Sequence, residues 1–183
     1  MNLNIYTPRS IDGYQLCHPK EQLDFETINV EIVGQPVSKT WHSINMELIK
    51  YDEGNVLMQS DSPWLGSHAL IFNNHAISGL KTLLEKYGEL LPINCSEESL
   101  MLYNPLHVIN ALDEQNSSIL RFTNGRIMRV NRYEFVAASI QNIDIFKLAN
   151  LRVSPTFVSE RFVEMWTNAN LTGLEFEKVW CPH

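Results

Sequence analysis

The chain has 183 residues with 21 Asp and Glu against 14 Lys and Arg, a formal charge of −7. Such an excess repels phosphate backbones at long range and argues against nucleic acid as a partner. No run of eighteen apolar residues exists, which argues against a transmembrane span. The first ten residues, MNLNIYTPRS, lack a basic segment followed by an apolar one, so no secretory signal is expected. Cys17, Cys95 and Cys181 are odd in number and far apart, which suits reduced thiols in a cytoplasm rather than a disulfide framework. Residues 1–90 hold eleven acids against six Lys and Arg, and residues 91–183 hold ten against eight. The negative potential is therefore concentrated in the first half.

Taken in order, Ile28–Val33 alternates apolar and polar residues and predicts a strand, ended by Gly34-Gln-Pro36. A second strand is expected from Trp41 to Ile49. Asp52-Glu-Gly54-Asn55 then turns the chain into Val56-Leu-Met58. Asp61-Ser-Pro63 breaks regular structure, because proline fixes φ and lacks a donor. Trp64 follows as an expected core plug. Leu70-Ile-Phe72 is extended, and a helix is predicted over about 74–87 with Asn74 as its N-cap. Ile77, Leu80, Leu84 and Tyr87 recur at helical spacing on one face. Gly88 is read as a left-handed C-terminal cap.

From Leu90 to Leu148 the chain is a series of short Ile-, Leu-, Val-, Phe- and Tyr-rich runs separated by Asn, Gly, Pro or Asp, the pattern of consecutive strands. Asn124-Gly125 marks a hairpin. A two-residue turn would pair Thr123 with Arg126, Phe122 with Ile127, Arg121 with Met128, Leu120 with Arg129 and Ile119 with Val130. Neither face would then be purely apolar, so either the loop is longer or both faces are partly covered and the arginine stems pack along their edges. Thr156-Phe157 is extended again, Ser159 caps a second helix over about 159–169, Gly173 closes it, and Leu174–Trp180 is a final strand. A shift of 85 residues superposes Asn74 on Ser159 and Gly88 on Gly173, which reads either as two repeated units flanking the central strands or as the caps and terminal glycines that recur in any helix. The expectation is one α+β domain spanning 1–183, with a mostly antiparallel central sheet.

Chemistry is thinly signalled. The six histidines are scattered, and neither His-Glu-x-x-His nor paired Cys-x-x-Cys occurs. Cys17-His18 and Cys181-Pro-His183 could only converge on a metal through the fold, and nothing fixes a tetrahedral set, so no metal is expected. Cys95 precedes Ser96-Glu97-Glu98, whose carboxylates would raise its pKa. No Gly-x-Ser-x-Gly elbow or phosphate-binding glycine loop is present, and no cofactor is implied. The carboxylate pairs Glu97/Glu98 and Asp113/Glu114 flank turns and are expected to face solvent. Arg121, Arg126, Arg129 and Arg132 form the one basic cluster. They are expected to pair with local acids and guard strand edges, with a grip on phosphate or a carboxylate partner as the alternative.

One resemblance adds to this. Gly88-Glu-Leu-Leu-Pro-Ile-Asn94, Tyr103-Asn-Pro-Leu-His-Val-Ile-Asn-Ala-Leu-Asp113, Gly125-Arg-Ile-Met128, Ile145-Phe146, Phe157-Val-Ser-Glu-Arg-Phe162 and Leu171-Thr-Gly-Leu-Glu-Phe176 occur in that order. Together they resemble the immunity protein eleven family of bacterial polymorphic toxin systems over roughly residues 60–180, with a variable part at about 1–60. The resemblance implies a non-enzymatic inhibitor, encoded beside a secreted toxin and binding it in the cytoplasm. Toxins of that kind are often basic, and an acidic inhibitor would be steered onto them. Asp12, Glu21, Asp24, Glu26, Glu31, Asp52, Glu53 and Asp61 are therefore the expected contact residues. Asn104-Pro105, Asp113 and Ser159-Glu160 are explained as scaffold. The rival readings are a small enzyme, which needs a polar cluster in a deep pocket, and a self-associating regulatory or scaffold module, hence a homo-oligomer.

Overall fold

The computed structural model describes residues 3–182. In chain order its elements are β1 (Ile5–Ser10), β2 (Leu16–Pro19), α1 (Gln22–Glu31), β3 (Asn45–Ile49), β4 (Tyr51–Asp52), β5 (Asn55–Val56), β6 (Leu70–Asn73), α2 (Asn74–Tyr87), β7 (Gly88–Pro92), β8 (Asn94–Cys95), β9 (Leu100–Pro105), β10 (Val108–Ile109), β11 (Ser118–Arg121), β12 (Ile127–Arg132), α3 (Ala137–Ile140), β13 (Ile145–Leu148), β14 (Phe157–Ser159), α4 (Glu160–Asn168) and β15 (Leu174–Trp180). The fold is α+β, and most strand pairings are antiparallel.

Two units of like topology form the centre. β6 and β7 both pair antiparallel with β9, which lies between them, and α2 connects them. β14 and β15 both pair antiparallel with β1, again between them, and α4 connects them. In each unit a strand–helix–strand crossover is thus split by a third strand from elsewhere in the chain. The helices begin alike: the Asn73 side chain accepts from Ala76 N, and Ser159 Oγ accepts from Phe162 N. The capping residue of α2 is therefore Asn73, one before the expected Asn74, and the two caps stand 86 residues apart.

The two helices pack against each other between the two sheets. Strand alternation divides the apolar residues. Leu70, Phe72 and Tyr103 of one sheet and Ile145, Val158 and Leu174 of the other face the helices, meeting Leu80, Leu84, Phe162 and Trp166. The opposite face of the first sheet carries Ile71, Leu91 and Leu102. It is covered by the sheet β2-β3-β8 and by Ile28 and Ile32 of α1. The opposite face of the five-stranded sheet β10-β13-β14-β1-β15 carries Ile5, Phe146, Phe157 and Trp180. There Phe146 stacks on Phe157 and Phe135 packs edge-on to Phe146, Phe157 and Trp180. Ile119, Ile127 and Val130 of the β11–β12 hairpin extend this cover.

Four local expectations are corrected. Ile28–Val33 is not a strand; its first four residues end α1. Ile28 and Ile32, four apart, both enter the core, while Val30 stays exposed, so helical burial overrides a β-like composition. The second strand begins at Asn45 rather than Trp41, whose indole Nε1 donates to Pro92 O at 2.8 Å. Gly88 is extended, with φ −170°, and starts β7 directly. A Cβ there would lie 2.5 Å from Asn104 O and 2.6 Å from Tyr103 Oη, so close approach explains the glycine. The Asn124-Gly125 hairpin has the longer loop. Gly125 N donates to Phe122 O, Phe122 N donates to Arg126 O, and only Gly125 has positive φ, giving a type I turn and a bulge. Ile119 meets Val130 and Leu120 meets Arg129 as expected, but Arg121 meets Ile127.

Trp64 is partly buried against the central core and accepts from Cys17 N through its carbonyl. No helix among the described residues is long and apolar enough to cross a membrane.

Candidate functional site

Several polar groups within the fold hold its elements together, while Thr7 Oγ1 and Thr156 Oγ1 are buried without a partner among the described residues. The larger cleft, about 660 Å³, is lined by Leu3, Ile5, Lys86, Asn142, Asp144 and Arg161 among others. Its buried carboxylate, Asp144, accepts from Ser159 Oγ at 2.7 Å, Arg161 Nη1 at 3.2 Å and Tyr87 Oη at 3.3 Å. Since Ser159 also caps α4, Asp144 fixes the start of that helix to the loop before β13. A second cleft of about 390 Å³ borders Lys147, which is 2% exposed. Lys147 Nζ donates to Ile32 O and His68 O, each at 2.7 Å. Burial pulls its pKa down to about 7, and burial together with the Lys147 charge holds His68 down to about 4. Burial pushes both the Cys17 and Cys95 thiols up, with neighbouring carboxylates adding to the effect at Cys17. Thiols so disposed are poor nucleophiles at neutral pH. Among the described residues no three His, Cys, Asp or Glu side chains gather as metal ligands. His183, one of the weighed ligands, lies outside the described residues.

The surface is more informative. Glu21, Asp24, Glu26 and Glu31 lie on or beside α1, which contains no Lys or Arg. Asp52 and Glu53 stand at the tip of the β4–β5 ribbon, and Asp12 lies in the turn after β1. None of these seven carboxylates has a hydrogen bond or ion pair among the described residues. Uncompensated carboxylates in water cost little and project their potential outward.

Asp61 is different. Its carboxylate accepts from Thr172 N at 2.8 Å, Thr172 Oγ1 at 2.9 Å and Asn73 Nδ2 at 3.1 Å, and pairs with His75 Nδ1 at 3.0 Å. These hydrogen bonds outweigh desolvation and hold its carboxyl below the usual range. Asp61 thereby joins the start of α2 to the loop before β15.

Exposed apolar side chains accompany the acids. Leu23 and Val30 project from α1, and Tyr51, Val56 and Met58 from the ribbon region. Residue typing along the sequence detects the acids but not these apolar neighbours, because exposure depends on which face the fold leaves uncovered. The basic cluster is split. Arg121 pairs with Glu114 and Arg132 with Glu134, whereas Arg126 stacks over Phe122 with its guanidinium carbon 6.0 Å from the ring centroid.

Comparison with known families gives one match: residues 97–180 fit the model of a family described as Immunity protein family (Imm11). The matched part begins just before β9 and ends with β15, so it holds α4 and the five-stranded sheet except β1. It is shorter than the 60–180 expected from the motifs and leaves all seven outward carboxylates outside. A search of curated proteins finds no match.

Proposed function

We propose that this protein is an immunity protein that neutralises a cognate toxin by binding it, without turnover by its own side chains. The supporting observation is the family match over residues 97–180, which suggests a toxin-neutralising role. In this reading the whole chain acts as one domain in the cytoplasm of the producing cell. The toxin is basic and encoded beside it, and the surface bearing Asp12, Glu21, Asp24, Glu26, Glu31, Asp52 and Glu53 meets it. Asp61, committed to Thr172, Asn73 and His75, serves as scaffold in this reading rather than touching the partner. An acidic face whose carboxylates are not tied up in ion pairs among the described residues raises the encounter rate with a basic protein and makes it salt-sensitive.

The test is co-expression with the product of the adjacent gene. That product should be toxic alone and harmless alongside this protein. A harmless product, or toxicity that persists, refutes the proposal. Reversing Asp24 and Glu26 to lysine should slow association and flatten its salt dependence. Unchanged on-rates would remove α1 from the contact.

A further inference from the structure

We infer that the outer face of the β4–β5 ribbon, with Tyr51, Val56 and Met58 at its centre, is the energetic heart of the contact with a basic toxin domain. This rests on the toxin-binding reading above and adds the place and the anchors. Tyr51 pairs with Val56 across the ribbon and Asp52 with Asn55. Directly paired residues share a face, and so do residues two apart on a strand. Met58 is two residues beyond Val56, and Leu57 between them is buried. Tyr51, Val56 and Met58 therefore point outward together, at 66%, 72% and 52% exposure.

The ribbon does little for the fold. β4 and β5 pair only with each other, and the continuing chain is held at Met58, which exchanges backbone hydrogen bonds with Gly13 and Gln15. That attachment brings the turn containing Asp12 beside Met58. Glu53 stands at the tip, at the other end, while Asp52, paired with Asn55, lies on the opposite face of the ribbon. The nearest base in sequence, Lys50, acts on Glu97 and helps hold its carboxyl low, while no ion pair joins it to the ribbon acids. The result is an apolar centre with an acidic rim, the anatomy of an interface whose core excludes water around a few anchors. Tyrosine is among the residues most often found to be such an anchor.

The tip adds an independent sign. Glu53 and Gly54 have φ of 47° and 84°. Glycine suits both positions and asparagine suits the first, so a glutamate there carries strain that fold stability alone would not select. Strain of this kind is retained where the side chain is needed for something else. Charge complementarity then fixes the partner's chemistry: a basic protein surface with an apolar depression between its lysines or arginines.

The experiment measures binding of the full chain to the purified product of the adjacent gene, with melting temperatures recorded for every variant. Tyr51→Ala and Val56→Ala should each weaken binding about tenfold or more, mainly through faster dissociation, with the melting temperature nearly unchanged. Glu53→Gly should raise the melting temperature yet slow association. Leu120→Ala with Met128→Ala, exposed on the β11–β12 hairpin away from the proposed contact, should stay within about twofold of the wild type and serves as the comparison surface. The inference is overturned if the wild type binds and both ribbon variants remain within twofold. It is equally overturned if the β11–β12 pair is the one that weakens binding, or if the ribbon variants abolish only self-association. If the wild type itself does not bind, the toxin-neutralising reading fails and takes the inference with it.

Discussion

Lys147 offers a quantitative test of how the fold is held. Its amine donates to two carbonyls, at the end of α1 and just before β6, and no carboxylate hydrogen bond or ion pair accompanies it. A neutral amine has two hydrogens and satisfies both carbonyls; the third hydrogen of an ammonium finds no acceptor there. This agrees with a pKa drawn from 10.5 down to about 7. Because the folded value is the lower one, the unfolded chain binds more protons between pH 7 and 10.5, and stability rises with pH across that window. At about 1.4 kcal/mol per pKa unit, burying the amine, by keeping its proton in acid or giving it up on folding at higher pH, costs on the order of 5 kcal/mol at pH 6, falling to about 2 at pH 9. Lys147→Met removes the titration but orphans two buried carbonyls, each costing about 1–3 kcal/mol. Urea unfolding of both proteins from pH 6 to 9 cancels the remaining titrating groups. The wild type should gain about 2–3 kcal/mol relative to the variant over that range. His68 stays neutral throughout, its pKa being about 4. Parallel stability curves for the two proteins would refute the assignment.

Other outcomes follow from single contacts. Gly173 has φ 98° and a Cβ there would collide with Ser60, so Gly173→Ala should lose at least about 3 kcal/mol in denaturant unfolding. Asp61→Asn at pH 7 should destabilise by about 1–3 kcal/mol through the bonds to Thr172, Asn73 and His75. The Asp61 contribution is present above the ordinary carboxyl pKa and is lost as pH falls through its lower folded value, so the gap between wild type and variant should close in acid. Ser159→Ala removes both the α4 cap and a bond to Asp144 and should cost about 1–2 kcal/mol by thermal unfolding. In native thiol titration Cys181, which is exposed, should react first and the buried Cys17 only on unfolding; a fast Cys17 would contradict its burial.

The two main helices were legible because each has a polar cap, an apolar face at helical spacing and a defined stop. Their local signals agree with their burial. Ile28–Val33 was not, because β-branched residues at 28, 30, 32 and 33 look like a strand until the core claims only Ile28 and Ile32. Asn124-Gly125 announced a turn correctly, but the choice between a two-residue loop and a bulged one depends on how Ile119, Ile127 and Val130 seat against the sheet beneath. At Gly88 the residue type was informative and the cause was misassigned: the neighbouring Asn104 and Tyr103 belong to a strand sixteen residues away in sequence, whose approach no local pattern encodes. The acids on α1 and the ribbon were visible as charge. Their distinction from Asp61 was not, since Thr172 reaches Asp61 from 111 residues downstream.

The five-stranded sheet has an order that runs against the direction of synthesis. Ile5–Ser10 lies between Phe157–Ser159 and Leu174–Trp180 and bonds to both. Its first partner is made only when residue 159 is reached and its second only with residues 174–180, so both of its edges depend on segments about 150 residues or more downstream. Partners so distant in sequence make closure slow. A chain cut short before Leu174 therefore leaves Ile5–Ser10 with one bare edge, an open invitation to pair with a neighbouring copy.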